Sequence, residues 1–214
     1  GYAVTQTTDE DLVGLAASGD TEAFNELVVR WERFIFMLAY RTLGREEEAR
    51  DVCQDTFLRA FLTIKGFKGQ AKFSSWLYRI ALNLCRDWVR KQSRTAVVQP
   101  SSDEAGFEQQ IEQAVGFPRE TVEELIIRRD LGRAVEQLMA TLPPEQRTVI
   151  VLKEYHGLTF REIADLQECP LSTVKTRLYQ GLRVLRQQLE EHGLSMTGTI
   201  LGQRAPYPRM VREQ

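Results

Sequence analysis

Apolar residues recur at intervals of three and four along most of the chain, and this spacing limits the fold more than any other feature of the sequence. Three amphipathic stripes run over residues 24–38, 49–64 and 73–88 of the 214-residue chain. Such a spacing places the apolar side chains on one face of an α-helix. Alternation of apolar and polar residues, which would indicate half-buried strands, does not extend over any length. The sequence therefore predicts an all-α fold that begins with a bundle of three or four helices.

The periodicity fades between about residues 92 and 121, which divides the chain into two small helical domains. This stretch contains two prolines and two glycines and is acidic, a composition typical of a flexible linker. Helical spacing returns at Leu125 and continues to Leu189. We therefore predict a first domain over residues 1–94, a linker over 95–121, a second domain over 122–192 and a tail over 193–214.

The second domain contains a specific local motif at Thr159-Phe160-Arg161-Glu162, a capping box in which the Thr and Glu side chains accept hydrogen bonds from each other's backbone N–H groups. It opens a short helix, which a tight connection at residues 168–170 joins to a longer helix with leucines on one face. This order is the helix-turn-helix pattern, and the alternative is an ordinary antiparallel helix pair with a polar surface. The free face of the longer helix carries groups suited to phosphates and base edges in a major groove, namely Ser172, Thr173, Lys175, Thr176, Tyr179, Gln180 and Arg183.

Charge is segregated along the chain, although the total is only −2. The near-neutral total excludes a uniformly basic coat for nucleic acid. Residues 79–94 and residues 172–186 each carry a net charge of +4, whereas residues 101–124 between them carry −6. Two basic stripes on either side of an acidic spacer predict two contact points for a polyanion. The alternative is that both stripes are ordinary solvated helix faces.

Nothing in the sequence indicates an enzyme, a metal site or a membrane span. The chain has no Walker loop, dinucleotide-binding fingerprint or Gly-x-Ser-x-Gly elbow. Cys53, Cys85 and Cys169 are widely spaced and only two histidines accompany them, so we expect reduced thiols and no zinc site. No apolar run approaches the roughly 20 residues that cross a bilayer, and the N-terminus lacks the pattern of a secretory signal. We therefore expect no catalytic residue, no metal, no cofactor and no small-molecule substrate.

Six short runs stand in order along the chain. The first half contains SGDTEAF at 18–24, DVCQDTF at 51–57 and FSSWLYRIA at 73–81. The second half contains LPPEQR at 142–147, LTFREIA at 158–164 and PLSTVKTR at 170–177. Together, and with a linker between the halves, these runs resemble the extracytoplasmic-function (ECF, group IV) sigma factors of bacterial RNA polymerase. The resemblance covers about residues 9–191, and it implies a sigma region 2 domain followed by a sigma region 4 domain.

The resemblance implies a non-catalytic subunit that binds core RNA polymerase, recognises the −35 and −10 promoter elements and promotes promoter melting for initiation. The helix around residues 49–64 would bind a basic coiled coil of the polymerase. The face opposite its apolar stripe carries Asp51, Gln54, Asp55, Leu58 and Leu62. Acids beside exposed leucines are typical of a protein interface.

The loop at residues 65–72 and the helix after it would open and read the −10 element. Capture of a single strand needs aromatic or amide groups to hold a flipped base and cations to hold phosphates. The residues of these types are Phe67, Lys68, Lys72, Tyr78, Arg79, Asn83, Arg86, Arg90 and Lys91. Trp76 and Trp88 are expected in the core or an interface instead of stacking on bases.

The helix-turn-helix at residues 159–189 would read the −35 element. Its base-facing residues would be Lys175, Thr176, Tyr179 and Gln180, while Arg177 and Arg183 would grip phosphates. Some relatives carry a basic residue where this chain has Gln180. Because glutamine pairs bidentately with adenine and not with guanine, a relative's promoter sequence does not transfer simply to this chain.

The resemblance also implies an anti-sigma factor, often membrane-bound, that would cover both binding faces and hold this cytoplasmic protein at the inner membrane face. The acidic linker would either thread toward the RNA-exit path of the polymerase or act as a passive tether. The tail at 193–214 departs from the family pattern, and its role is left open. The alternative function is a helix-turn-helix repressor or activator that acts without polymerase, although such proteins usually dimerise and no heptad run is visible here.

Overall fold

The computed structural model describes residues 7–94, 122–191 and 193, with the side chains of residues 122–131 excepted, and the secondary structure in these ranges is entirely helical. This confirms the all-α fold that the apolar spacing predicts. The linker, and the tail apart from Gly193, lie outside the described residues. The first domain comprises α1 (Asp9–Ala17), α2 (Thr21–Leu43), α3 (Glu46–Thr63), a 3₁₀ turn (Ile64–Gly66) and α4 (Phe73–Arg94). The second comprises α5 (Val122–Thr141), α6 (Pro144–Ile150), a π-helical turn (Val151–Tyr155), α7 (Phe160–Gln167) and α8 (Leu171–Glu191).

The first domain is a four-helix bundle arranged around α2, which contacts α1, α3 and α4. A polar side chain fixes where α2 begins, because the Oδ1 atom of Asp20 accepts hydrogen bonds from the backbone N–H groups of Glu22 and Ala23. Gly44 ends α2 in the left-handed region, with φ of 71°. The buried interior contains Leu27, Ile35, Leu38, Ala60, Phe73 and Leu77.

The second domain confirms the capping box and the helix-turn-helix order. Thr159 Oγ1 accepts a hydrogen bond from the backbone N–H of Glu162 at 3.1 Å, and Glu162 Oε2 accepts one from the backbone N–H of Thr159 at 3.1 Å. Glu168, with φ of 52°, forms the left-handed end of α7 and begins the turn into α8. These local bonds set the entry and exit of α7, so the short helix meets the longer one at a defined turn.

The helix that begins at Pro144 differs from a regular α-helix in its last turn. Residues Val151–Tyr155 are π-helical, and the backbone N–H of His156 donates to the Val151 carbonyl, five residues back, at 3.2 Å. The wider turn keeps Val151 and Leu152 fully buried while the chain leaves the helix at His156.

Helices α6 and α8 approach closely at Gly181, where α8 has no side chain and Ile150 of α6 fills the space. A Cβ atom on Gly181 would lie 2.7 Å from Ile150 Cδ1 and 3.3 Å from Gln146 Cβ. Both Gly181 and Ile150 are buried. The glycine therefore sets how near α8 lies to the rest of its domain.

The two domains touch each other through α4 with α7 and through α2 with α6 and the π-helical turn. Their buried apolar residues form one continuous cluster, from Leu12 in α1 to Leu189 in α8. A smaller cluster that includes Leu43, Val52 and Cys85 lies within the first domain alone. The sequence predicts two domains on a linker, but it does not predict that they share a core.

Candidate functional sites

The outer face of α3 presents acids and apolar side chains together. Asp51, Gln54 and Asp55 are exposed, and Leu58 and Leu62 are 56% and 69% exposed. All five residues of the predicted polymerase-binding set therefore lie on one accessible helix face. Exposed apolar side chains beside acids are typical of a surface that binds another protein.

Phe61 extends this face, although the sequence pattern assigns it to the inward stripe. Its ring packs edge-on against Phe24, with centroids 5.1 Å apart, and yet 47% of the residue stays exposed. A position at the border of an amphipathic stripe can contribute to both faces of a helix. We call Leu58, Phe61 and Leu62 with the neighbouring acids Asp51 and Asp55 the α3 patch.

Phe67, in the loop before α4, is held by other aromatic rings. Its centroid lies 5.1 Å from that of Trp76 and 6.3 Å from that of Phe73. Lys68 and Lys72, on either side of the loop tip, are exposed. The loop thus combines a ring fixed by packing with two accessible cations. Trp76 belongs to this aromatic packing, since its ring contacts both Phe67 and Phe73.

One face of α4 carries an exposed polar and cationic row. Asn83, Arg86 and Arg90 follow at intervals of three and four, and Lys91 lies next to them. The Arg90 guanidinium is 3.9 Å from the Asp87 carboxylate, and both side chains are largely exposed. An ion pair this long and this solvated holds little energy, so the row can bind phosphates.

Tyr78 and Arg79 have a different environment from the other residues predicted to contact the −10 element. Tyr78 is only 1% exposed, and its hydroxyl is 2.9 Å from His156 Nδ1 of the second domain. Arg79 donates to the Glu168 carboxylate and to the Asp165 carbonyl, both at 3.1 Å. In this arrangement the second domain covers Tyr78, whereas the Arg79 side chain stays 43% exposed and lines a cleft between the domains together with Lys72.

The free face of α8 presents most of the side chains that the sequence assigns to the −35 element. Tyr179 is 61% exposed, and the other exposed members are Ser172, Lys175, Thr176, Gln180 and Arg183. Thr173 is half-buried. Gln146 Nε2 of α6 lies 3.5 Å from Gln180 Oε1, the long limit of a hydrogen bond.

Arg177 is turned toward its own domain. Its Nη1 atom is 3.5 Å from Gln167 Oε1 and 3.9 Å from Cys169 Sγ, and its Nη2 atom is 3.4 Å from the Glu145 carboxylate. The guanidinium therefore connects α6, the end of α7 and α8. The phosphate contact predicted for Arg177 stays a prediction, and it requires these internal partners to be exchanged.

Two basic groups at the domain junction, the buried His156 and the half-buried Arg147, have no signal in the sequence. Burial, with a smaller effect of the nearby Arg41 charge, lowers the pKa of His156 to about 3. Burial also lowers the pKa of Arg147, whose Nε atom donates to the Arg41 carbonyl at 2.8 Å. His156 stands beside the helix-ending Gly157, a position that gives no sequence signal for burial.

The cysteines offer no activated nucleophile in the part of the chain that the structure describes. Burial raises the pKa of the Cys85 thiol to about 12, and burial together with Glu32 raises that of Cys53 to about 11. All three cysteines are free thiols. None of the described helices is both long enough and apolar enough to cross a membrane.

Comparison with known protein families assigns each domain. Residues 27–95 match the model of Sigma-70 region 2, and residues 132–185 match that of Sigma-70, region 4. The chain is 37% identical over 178 residues to the ECF RNA polymerase sigma factor SigW of Bacillus subtilis, covering 81% of this chain and 92% of the relative. It is 32% identical to the ECF RNA polymerase sigma-E factor of Escherichia coli K12, covering 86% and 96% respectively.

The fold is similar to that of solved structures as well. The structure of CnrH in complex with the cytosolic domain of CnrY matches with a TM-score of 0.60 and 28% identity, over 86% of this chain and 97% of CnrH. The sigma factor RpoE of Bartonella quintana, solved with the anti-sigma factor NepR, matches with a TM-score of 0.61 at 17% identity, over 78% and 96%. The second likeness concerns the fold alone.

Proposed function

We propose, because the chain belongs to the ECF sigma factors of bacterial RNA polymerase, that its two helical domains divide promoter recognition between them. The observation that carries the proposal is the presence in one chain of a region 2 domain and a region 4 domain, each with its own exposed basic face. The chain acts as an initiation subunit, and the polymerase carries out nucleotide addition.

The α3 patch binds the core enzyme. Its exposed apolar side chains gain free energy when a partner removes them from water, while Asp51 and Asp55 attract a basic partner surface. A basic coiled coil of the polymerase has the complementary charge. Because Asp51 and Asp55 lie one helical turn apart, they present their charges to the same side of such a partner.

The loop before α4 and the exposed row on α4 bind the −10 element. Phe67 offers an aromatic ring fixed by packing, Lys68 and Lys72 flank it, and the α4 row leads away from it toward upstream phosphates. Binding energy drives the melting of the promoter. Unstacking each base costs roughly a few kcal/mol, and binding of the extruded bases to the protein offsets this cost.

The free face of α8 reads the −35 element in a major groove. Lys175, Tyr179 and Gln180 are exposed along successive turns of the second helix of a helix-turn-helix. Gln180 favours an adenine, since its amide can pair with both the N6 and N7 positions of that base. Arg183 lies further along the helix and binds phosphate.

The protein also binds an anti-sigma factor. CnrH and the Bartonella sigma factor, which share the fold, were both solved with a second protein bound, CnrY and the anti-sigma factor NepR respectively. We place this chain in the cytoplasm, where promoter DNA is accessible, and an anti-sigma factor anchored in the inner membrane would hold it at that face.

Run-off transcription tests the proposal. Purified core polymerase is incubated with genomic fragments, with and without this protein, and with a variant that reverses the charges of Asp51 and Asp55. We expect transcripts from discrete start sites only when core and the unmodified protein are both present. Tight duplex binding by the protein alone, without any such transcripts, would instead favour a repressor or activator.

A further inference from the structure

We propose that the aromatic ring of Phe160 positions two lysines, Lys153 and Lys175, as a phosphate-binding pair for duplex DNA. We call these three residues the ring cluster. Lys153 and Phe160 are not among the residues that the sequence assigns to DNA, and Lys175 is assigned there to a base. That the duplex is a promoter rests on the function proposed above, whereas the ring cluster itself rests on contacts within the second domain.

The ring cluster joins three elements of the second domain. Lys153 lies in the π-helical turn, Phe160 is the first residue of α7, and Lys175 lies in the second turn of α8. The Nζ atom of Lys153 is 4.7 Å from the centroid of the Phe160 ring, and the Nζ atom of Lys175 is 5.6 Å from it. A cation is attracted to an aromatic face within about 6 Å of its centroid. One ring therefore holds two ammonium groups from different elements.

The ring of Phe160 is itself held in place. The capping box formed by Thr159 and Glu162 sets the backbone at the start of α7. Phe160 is half-buried and packs against the hydrophobic interior. A lysine that rests on a fixed ring has less conformational freedom to lose when it binds a ligand than a lysine that moves freely in water. The ring thus orders both side chains before DNA arrives.

The two ammonium groups carry positive charge that no acid neutralises in the part of the chain that the structure describes. Within that part, neither Lys153 nor Lys175 forms an ion pair. Because both lie over one ring, the two charges are close enough to repel each other in spite of screening by salt, which acts over about 10 Å at 0.1 M. An anion that contacts both groups relieves this repulsion. The ring cluster is therefore suited to bind an anion.

The position of the ring cluster in the helix-turn-helix identifies this anion as a backbone phosphate. In this motif the first helix crosses the DNA backbone while the second lies in the major groove. Phe160 begins the first helix, and the Lys175 ammonium points from the second helix toward it. Lys175 thus meets the backbone, and the exposed side chains of Tyr179 and Gln180 are left to meet bases. Phosphate contacts of this kind fix the register of a protein on the duplex.

The variant Phe160→Leu tests the ring cluster, because leucine keeps an apolar side chain against the interior and has no aromatic face. We expect it to weaken binding of the full-length protein to a fluorescein-labelled duplex of about 20 base pairs by about fivefold, in keeping with the strength of an exposed cation–π contact. Phe160→Tyr keeps the ring and should retain the affinity of the unmodified protein. Anisotropy titrations in about 50 mM salt, where proteins bind duplex tightly without sequence preference, measure these affinities.

A double-mutant cycle separates positioning from packing. In a background with alanine in place of both Lys153 and Lys175, Phe160→Leu should have no further effect, since the ring has no cation left to hold. A loss of the same size in both backgrounds would show that the ring acts through packing and would overturn the proposal. Unchanged affinity of Phe160→Leu in the unmodified background would overturn it as well. If circular dichroism shows that Phe160→Leu has lost helix, Phe160→Met replaces it, since methionine is also apolar and without a ring.

Two duplexes of unrelated sequence distinguish a phosphate contact from a base contact. Lys175→Ala should weaken binding to both by the same factor and reduce the slope of log affinity against log salt by about 0.9. A loss confined to one sequence would overturn the phosphate assignment. Arg133→Ala is the matched control, because Arg133 is an exposed cation on α5 of the same domain and takes no part in the ring cluster. An equal loss for Arg133→Ala would show that only total charge matters and would also overturn the proposal.

The two proposals can fail separately. If the unmodified protein gives no run-off transcripts with core polymerase, the proposed function is wrong. The duplex titrations still decide whether Phe160 positions the two lysines, because they depend on neither promoter nor polymerase.

Discussion

Replacing Gly181 by alanine should destabilise the second domain, although alanine is the better helix former. In an open helix position the change would stabilise by about 1 kcal/mol. Here the added methyl group would lie 2.7 Å from Ile150 Cδ1, well inside van der Waals contact, and Ile150 is completely buried. Overpacking of this kind costs about 1–3 kcal/mol. We therefore expect a net loss of about 1 kcal/mol.

The sign should reverse when Ile150 is shortened. Ile150→Val removes the Cδ1 atom and costs about 0.5–1.5 kcal/mol by itself. In that background the alanine methyl at 181 occupies the space that Cδ1 leaves, so Gly181→Ala should stabilise by up to about 1 kcal/mol. Gly132→Ala is the matched control, because Gly132 lies inside α5 with no atom near its missing Cβ, and it should stabilise in both backgrounds.

Urea unfolding followed by circular dichroism at 222 nm measures these effects. Tryptophan fluorescence reports on the first domain and serves as an internal comparison with the dichroism signal of the whole chain, because Trp31, Trp76 and Trp88 all lie in the first domain. The reasoning is refuted if Gly181→Ala stabilises the protein as much as Gly132→Ala does, or if its effect is the same with isoleucine and with valine at position 150.

Three further predictions concern binding and pH. Reversing Asp51 and Asp55 to lysine should abolish binding to core polymerase and leave the dichroism spectrum unchanged; unaltered affinity in a pull-down with core would remove both residues from the interface. Replacing Lys175 and Gln180 by alanine should weaken binding of the holoenzyme to −35 duplex more than to a −10 single strand, and equal losses in anisotropy would contradict the division between domains. His156 stays neutral when buried, with a pKa of about 3 against about 6.5 in the unfolded chain, so its contribution to stability is complete above about pH 6.5 and declines as the pH falls toward 3. As the pH falls from about 7 to about 4, the free energy of unfolding should decrease less steeply for His156→Phe than for the unmodified protein, by up to about 1.4 kcal/mol per pH unit. Equal slopes in urea unfolding would refute the burial of a neutral ring.

The helices and the α8 face could be predicted from the sequence because their signals are local. Apolar spacing marks helix faces, and a capping box fixes the start of α7 from two residues three positions apart. The exposed members of the α3 patch follow from the same periodicity. The periodicity does not predict the exposure of Phe61, because an aromatic ring at the border of a stripe can contact the core and solvent at once.

The junction between the domains could not be predicted in this way, since its partners are far apart in the chain. Tyr78 and His156 are 78 residues apart, and nothing local pairs them. A weak signal did exist on α4: Ser74 and Leu82, four residues before and after Tyr78, are small or apolar and form with it a second buried line beside the stripe. A helix with two adjacent buried lines packs on two sides, and at Tyr78 the second side meets the other domain.

The π-helical turn at Val151–Tyr155 sets the direction in which the side chains at its end and just after it point. It holds one residue more per turn than an α-helix would, and that residue decides which way Tyr155 and His156 point once Val151 and Leu152 have been placed in the interior. A regular α-helix through the same five residues would advance by about 100° per residue in place of roughly 80°, so His156 would point about 100° away from its present direction. Tyr155 and His156 would then leave the Arg41 guanidinium and the Tyr78 hydroxyl that they contact in the first domain. The one extra residue in this turn therefore aligns the second domain's side chains with their partners in the first.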